Sequence, residues 1–212
     1  MEDCDAYVKY PNHRKWFNKL WLSEMLGYKC GPAGTDIPED GTYVVRPIYN
    51  LGGMGAGAEV VQLKKDDYTT VRPGYFWCEY FDGLHYSANY RFVTATNPYW
   101  EPLGCWQGTN FPINLSKFIE WKRVDKAPRL SRDFNVLSDV AVINVEFIND
   151  KPIEVHLRKG ADPEDYDVMI PVWQSAPGDF VAHHKLHGYQ YIEAYDDANK
   201  QIDDPRLGFM VK

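Results

Sequence analysis

Two short stretches carry residue types that could hold a phosphorylated ligand and a metal ion. The first runs Val44-Val45-Arg46-Pro47-Ile48-Tyr49-Asn50-Leu51-Gly52-Gly53-Met54-Gly55. Glycines let backbone N–H groups approach an anion closely and adopt positive φ without strain. Arg46, at the end of the incoming strand, would complete a polyphosphate cradle formed by Gly52, Gly53 and Gly55. This loop joins two strands. It therefore fits neither GxxxxGK[ST] nor the dinucleotide-binding fingerprint, which both lead into a helix N-terminus. The same glycines also suit a plain hairpin turn.

The second stretch is Val142-Ile143-Asn144-Val145-Glu146-Phe147 followed by Pro152-Ile153-Glu154-Val155-His156-Leu157-Arg158. Side chains alternate along a strand, so Asn144 and Glu146 share one face, and Glu154, His156 and Arg158 share another. A short turn at Asn149-Asp150-Lys151 would set the two polar faces side by side. Hard cations such as Mg²⁺ take one or two carboxylates together with substrate phosphates. The other reading is an amphipathic hairpin with a solvated charged face.

The elements that must position these groups follow from periodicity. Residues 12–26 repeat apolar side chains at helical spacing, and Gly27 and Gly31-Pro32 end that helix. Strands are expected at 43–48 and 58–63, and at 74–81 and 85–95 as a hairpin around Asp82-Gly83. Residues 97–114, rich in Pro, Gly and Trp, read as a long loop that packs onto the sheet. Short helices are expected at 115–121 and 130–139. Further strands follow at 140–148, 153–158, 168–174, 189–195 and 207–211, with a polar, locally ordered segment from Gly160 to Asp167.

With 212 residues, the chain can build a sizeable core, and 44% hydrophobic with 25% charged residues is an ordinary globular composition. No apolar run approaches the roughly 20 residues that span a bilayer. The acidic start Glu2-Asp3-Cys4-Asp5 lacks the basic residues of a presequence, so a soluble cytoplasmic protein is expected. A net charge of −7 argues against nucleic acid as a partner. Cys4, Cys30, Cys78 and Cys105 form no CxxC pair and are expected to be reduced thiols. His183-His184-x-x-His187 could bind a metal or form a polar surface turn.

Taken in order along the chain, these pieces resemble the ATP-grasp family of ATP-dependent carboxylate–amine and carboxylate–thiol ligases. Phe17-Asn18-Lys19 is similar to the start of the family's entry helix, whose lysine reaches the nucleotide phosphates. Val44-Val45-Arg46-Pro47 with its glycine loop resembles the family's V-V-K-P strand and phosphate loop. Phe76 to Gly83, followed by His85-Tyr86-Ser87, is similar to the strand that holds adenine by backbone groups and ribose by a carboxylate. That resemblance gives Glu79, Tyr80 and Phe81 the hinge role. Asn144, Glu146, Glu154 and His156 fall where the family binds Mg²⁺, and Arg158 matches an arginine that often follows.

The resemblance implies an α+β, ATP-grasp-like fold in which two sheet-and-helix lobes clasp a nucleotide. One domain over 1–212 is expected, with a small lobe over about 12–75 and a larger sheet lobe over about 76–212 that holds the Glu79 segment. It implies ATP and Mg²⁺ as cofactors, with Lys19 and Arg158 as catalytic groups. The activity implied is ligation of an unidentified carboxylate to an amine through an acylphosphate; the alternative is a nucleotide- or protein-binding module that has lost the chemistry. Arg46 stands where lysine is usual, keeping the charge but replacing a point cation by a planar fork. Asn144 stands where an acid is usual and His156 where asparagine is usual; Glu146 would supply the second carboxylate. The family's ligases carry a further N-terminal domain that helps bind the acceptor. A second copy of this chain, a partner protein or a large substrate is expected to supply that surface.

Overall fold

The computed structural model describes residues 1–111, 114–160, 162–194 and 204–212. Two antiparallel sheets dominate. The smaller has four strands in the order β1 (Cys30–Pro32), β4 (Tyr75–Glu79), β2 (Gly41–Pro47), β3 (Glu59–Leu63). The larger has eight: β11 (Gln190–Glu193), β12 (Arg206–Val211), β10 (Val168–Trp173), β7 (Phe118–Arg123), β6 (Tyr99–Asn110), β5 (His85–Val93), β8 (Ile143–Ile148) and β9 (Lys151–His156).

Among the described residues three short α-helices accompany them: α1 (Asp3–Lys9), α2 (Lys19–Met25) and α3 (Phe180–Leu186). The single helix expected over 12–26 is broken. A 3-10 helix, Pro11–Phe17, ends at Asn18, whose backbone is extended (φ −84°, ψ 102°). The Asn18 side chain accepts the Trp21 N–H at 2.9 Å and so caps α2. The break turns Trp16 and Phe17 into the core above β8 and β9, beside Leu22, Ile143, Val145, Phe147 and Val155. Those last four are the apolar side of the expected hairpin alternation. A separate core of Ile37, Tyr43, Val45, Leu63, Val71 and Trp77 packs the small sheet. A third, Trp106, Trp121, Met169, Phe209 and Val211, lies in the far half of the large sheet.

Several expectations are corrected. Asp82-Gly83 makes no hairpin: β4 and β5 lie in different sheets, so this dipeptide is the crossover between them. The Asn149 side chain clasps it, accepting the Leu84 N–H at 3.0 Å and donating to the Asp82 carbonyl at 3.2 Å. A Cβ on Gly83 would lie 2.1 Å from Asn149 Nδ2, so glycine permits the approach. Glu79 consequently ends a strand of the small sheet, not of the large one. Most of 97–114 is not a loop but the longest strand, β6. Gly104 and Gly108 leave room there for the rings of Trp106, Phe118 and Trp121, and Pro102 sits at an irregularity in the pairing with β5.

Residues 115–121 expected as helix enter strand β7. The helix expected at 130–139 is a 3-10 turn, Arg132–Leu137, anchored by buried Phe134 and Leu137. Helix α3 holds His183 and His184, and His187 is its C-cap; these are the histidines that were expected in a turn or metal site. Pro112 and Ile113 of the expected loop, Ala161 of the 160–167 segment and Tyr195 of the expected strand 189–195 lie outside the described residues. Among the described residues no helix is long and apolar enough to cross a membrane. The four cysteines are free thiols, with Cys78 and Cys105 buried.

Candidate functional site

The polar face of the β8–β9 hairpin forms as expected. Asn144 pairs in register with His156, and Glu146 with Glu154. Strand β5 extends this face, because Ser87 lies opposite Glu146 and Asn89 opposite Asn144. His85, Ser87 and Asn89 thus join the same surface. Asn144 donates to Ser87 Oγ at 3.0 Å and to Asn89 Oδ1 at 3.1 Å, which spends its amide on fixing the sheet.

A cleft separates this floor from the small sheet. Lys19, Arg46, Gly55, Glu79, Tyr80 and Phe81 line it from one side, and Glu146, Glu154 and His156 from the other. A second compartment shares Met54, Phe118, Glu146 and His156 with the first and is lined by Gly52, Gly53, Asn144 and Arg158. The sequence-predicted residues therefore line two neighbouring cavities that share part of their walls, with the glycine loop bordering both.

The loop is a built structure. Gly53, Met54, Gly55 and Gly57 all have positive φ (70°, 54°, 60° and 77°). Asn50 braces it by accepting the Gly52 N–H and donating to the Gly53 carbonyl. Ser116 Oγ ties the Gly55 carbonyl to the large-sheet side at 3.2 Å. A Cβ on Gly57 would meet Tyr75 Oη at 2.6 Å, whereas one on Gly53 would enter open space. Glycine is thus demanded at 57 by packing as well as by φ, and at 53 by backbone conformation alone.

The two cations expected to face phosphate differ in their surroundings. Lys19 opens α2, its N–H donating to the Ile48 carbonyl at 2.9 Å. Its Nζ lies 2.6 Å from Glu154 Oε2, with Lys19 buried and Glu154 partly so. Arg46 is only 9% exposed and stacks on Phe76 with its guanidinium carbon 5.2 Å from the ring centre. Its Nε has no hydrogen-bond partner, and no carboxylate among the described residues pairs with it. A buried guanidinium without an anion is costly.

The glutamates are held by imidazoles. Glu146 Oε2 is 3.1 Å from His85 Nε2, and His156 Nε2 is 3.8 Å from Glu146 and 3.7 Å from Glu154. Burial would raise the Glu146 carboxyl, but His156 and His85 outweigh it and hold it well below the ordinary range. Burial would lower His156; the Asp3 carboxylate, with help from Glu146 and Glu154, outweighs it and raises the ring to about 10. Among the described residues no group of three or more His, Cys, Asp or Glu is arranged to hold a metal ion by itself. The physical reason is visible: Glu154 is engaged by Lys19, His156 by Asp3 and the Asn144 amide by β5. His184 on α3 and His187 at its C-cap donate Nδ1–H to the carbonyls of Phe180 and His183, each at 2.8 Å.

Arg158 does not project freely. Its Nε and Nη2 bind the Asp3 carboxylate at 2.8 and 3.1 Å. At the opposite end of the cleft Glu79 pairs with Lys29 twice, through its own N–H (2.8 Å) and through its carboxylate (2.9 Å). Tyr80 is exposed, and Phe81 meets Tyr28 edge-on. Sequence reasoning missed Asp3, Asn89 and the role of His85. The alternation of β5 would have found His85 and Asn89 once its neighbour was known; Asp3 carries no local signal.

No family model matches the sequence, and no curated protein matches it. Solved structures do. Over 95% of this chain and 68% of its own, an N5-carboxyaminoimidazole synthetase from Staphylococcus aureus complexed with ADP superposes with a TM-score of 0.55 at 12% identity. A carboxyaminoimidazole ribonucleotide synthase from Aspergillus clavatus complexed with ATP gives 0.55 at 11% identity, over 93% of this chain and 68% of that one. An L-amino acid ligase from Bacillus licheniformis superposes less closely, at 0.42 and 15% identity over 69% of this chain. The chain spans about two thirds of the length of the two synthetases (68% each) and 41% of the ligase. Two antiparallel sheets facing across a cleft, with a glycine loop on one side and a carboxylate-bearing hairpin on the other, make this an ATP-grasp-like fold.

Proposed function

We propose that the chain binds ATP in the cleft and uses it to join a carboxylate to an amine. The observation that carries this reading is Arg46, a buried cation whose Nε has no partner and which lines the cleft beside the glycine loop. An anion is the missing complement. Polyphosphate fits, because the positive-φ run from Gly53 to Gly55 can turn backbone N–H groups toward it and Lys19 adds a second charge. Glu79, Tyr80 and Phe81 would border the base and ribose.

Glu146 and Glu154 fit Mg²⁺ as a pair of carboxylates that share the ion with phosphate, with Asn144 and His156 at the margin. When bound, the ion would neutralise phosphate charge. In the reaction proposed, a substrate carboxylate oxygen attacks the γ-phosphorus and ADP leaves, giving an acylphosphate; the amine then attacks the acyl carbon, phosphate leaves, and the amine's proton passes to solvent. The chain contributes by orientation and by fixed charge. Lys19 and Arg46 hold phosphate oxygens. Arg158 places positive charge in the second compartment, where the carboxylate would lie.

Glu154→Gln removes one of the two carboxylates and leaves Lys19 facing a neutral amide. Phosphate release from Mg-ATP, assayed with a panel of carboxylates and amines, is expected to fall about a hundredfold or more, with the circular dichroism spectrum unchanged. Undiminished turnover would remove Glu154 from the site. A second reading, nucleotide binding without ligation, is favoured by the pairing of Lys19 with Glu154 and of Arg158 with Asp3. It predicts that ATP binds and is not turned over by any member of the panel.

A further inference from the structure

Both oxygens of the Asp3 carboxylate are used. Oδ1 accepts from Arg158 Nε at 2.8 Å; Oδ2 accepts from His156 Nδ1 at 2.7 Å and from Arg158 Nη2 at 3.1 Å. A guanidinium fork plus an imidazole on one carboxylate is among the stronger hydrogen-bond arrangements available to side chains. Asp3 is 2% exposed, His156 5% and Arg158 9%. The contact spans more than 150 residues of sequence and ties α1 to the end of strand β9 in the hairpin that floors the cleft.

The contact is directional. With Nδ1 tied to Asp3, the His156 ring can turn Nε2 only toward Glu146 and Glu154, which lie 3.8 and 3.7 Å away. Glu154 in turn meets Lys19. A line of charge thus runs from Asp3 through His156 and Glu154 to Lys19 in the cleft wall. Helix α1 is firmly placed for this work: Ala6 is fully buried, Tyr7 packs edge-on against Phe17, and the Tyr7 carbonyl accepts from Arg14 Nε at 3.0 Å.

We propose that Asp3 is a positioning residue of the cleft, fixing His156 and Arg158 so that Glu146, Glu154 and Lys19 meet the ligand in register. The proposal rests on the nucleotide-binding reading for its effect on affinity. Asp3 itself lines neither compartment; it acts through the residues it holds, as the partners behind metal ligands do.

The test compares wild type, Asp3→Ala and Asp3→Asn by calorimetric titration with Mg-ATP, by melting, and by nitrogen NMR of the His156 ring, each with and without added formate. Asp3→Ala is expected to bind Mg-ATP about tenfold to a hundredfold more weakly. Formate, which can occupy the vacated carboxylate position, is expected to restore affinity and the wild-type ring signals in that variant and to leave wild type unchanged. Wild-type affinity in Asp3→Ala, with only its melting temperature lowered, would overturn the proposal and leave Asp3 a structural anchor. Should Asp3→Ala fail to fold, Asp3→Asn, which retains shape and an acceptor oxygen, carries the comparison: weakened Mg-ATP binding supports the proposal and unchanged binding overturns it. Should wild type itself not bind Mg-ATP, the nucleotide reading fails. The formate-dependent return of the His156 signals then decides whether Asp3 fixes the ring.

Discussion

Arg46→Met is expected to make the free protein more stable and to abolish tight nucleotide binding. Arg46 is buried, its Nε is unsatisfied, and no carboxylate among the described residues neutralises it. An unsatisfied buried donor costs about 1–3 kcal/mol. Methionine fills similar space and keeps a favourable contact with the Phe76 ring, offsetting the lost cation–π contact. A net gain of about 1 kcal/mol follows, a rise of roughly 2–4 °C in melting temperature for a chain of this size. Binding moves the other way. Removing one partner of a desolvated charge pair costs about 2–5 kcal/mol, roughly 30-fold or more in affinity. Arg46→Lys keeps the charge and should retain most of the affinity. A destabilised Arg46→Met with intact nucleotide binding would show that the guanidinium has a structural purpose.

Arg158→Met should be the most destabilising single change near the site. It leaves the Asp3 carboxylate, 2% exposed, with His156 as its remaining cation. Breaking a buried pair from one side costs about 3–5 kcal/mol, and the retained histidine puts this case near about 3. Combining it with Asp3→Asn should recover much of the loss, because the uncompensated charge goes too.

The wild-type pH profile reports the same network. Burial would raise Asp3, but His156 and Arg158 outweigh it and lower the carboxyl from 3.8 to about 2. A depressed carboxyl stabilises the fold above its unfolded value and loses that contribution as pH falls toward the folded one. His156 is raised from 6.5 to about 10, so its contribution is complete below 6.5 and is lost as pH rises through about 10. The network is therefore fully stabilising between pH 3.8 and 6.5. Urea unfolding across pH should show stability falling on both sides of that window, and Arg158→Met should flatten the acid limb. An unchanged acid limb in the variant would deny Arg158 its part in holding Asp3 down.

What could be read from the sequence, and what could not, divides along physical lines. The β8–β9 hairpin was legible because alternation with a period of two assigns faces outright. One short turn then sets the two polar faces side by side as expected, while the register that pairs Glu146 with Glu154 is seen only in the fold. The glycine loop was legible as a run of positive φ. Asp82-Gly83 misled, since the dipeptide names a local bend and cannot tell a hairpin from a crossover clasped by Asn149. Strand β6 was hidden by its glycines, which serve neighbouring rings across the sheet. Helix α2 was misjudged in length because Asn18 caps a new helix inside an apolar run that looks continuous. Asp3 was invisible for a different reason: its partners lie more than 150 residues away, and only the packed fold brings them together.

On the proposed function, ATP occupies the cleft between the two sheets, against Arg46 and the glycine loop. Backbone amide NMR of the wild type, titrated with Mg-ATP and then with ATP plus EDTA, tests it most directly. Saturable shifts are expected, confined to Lys19, Arg46, residues 50–57, residues 79–81 and the Glu146–Glu154 hairpin, with the hairpin shifts dependent on Mg²⁺. Absence of shifts at millimolar nucleotide, or shifts concentrated on α3 and the far end of the large sheet, would contradict it.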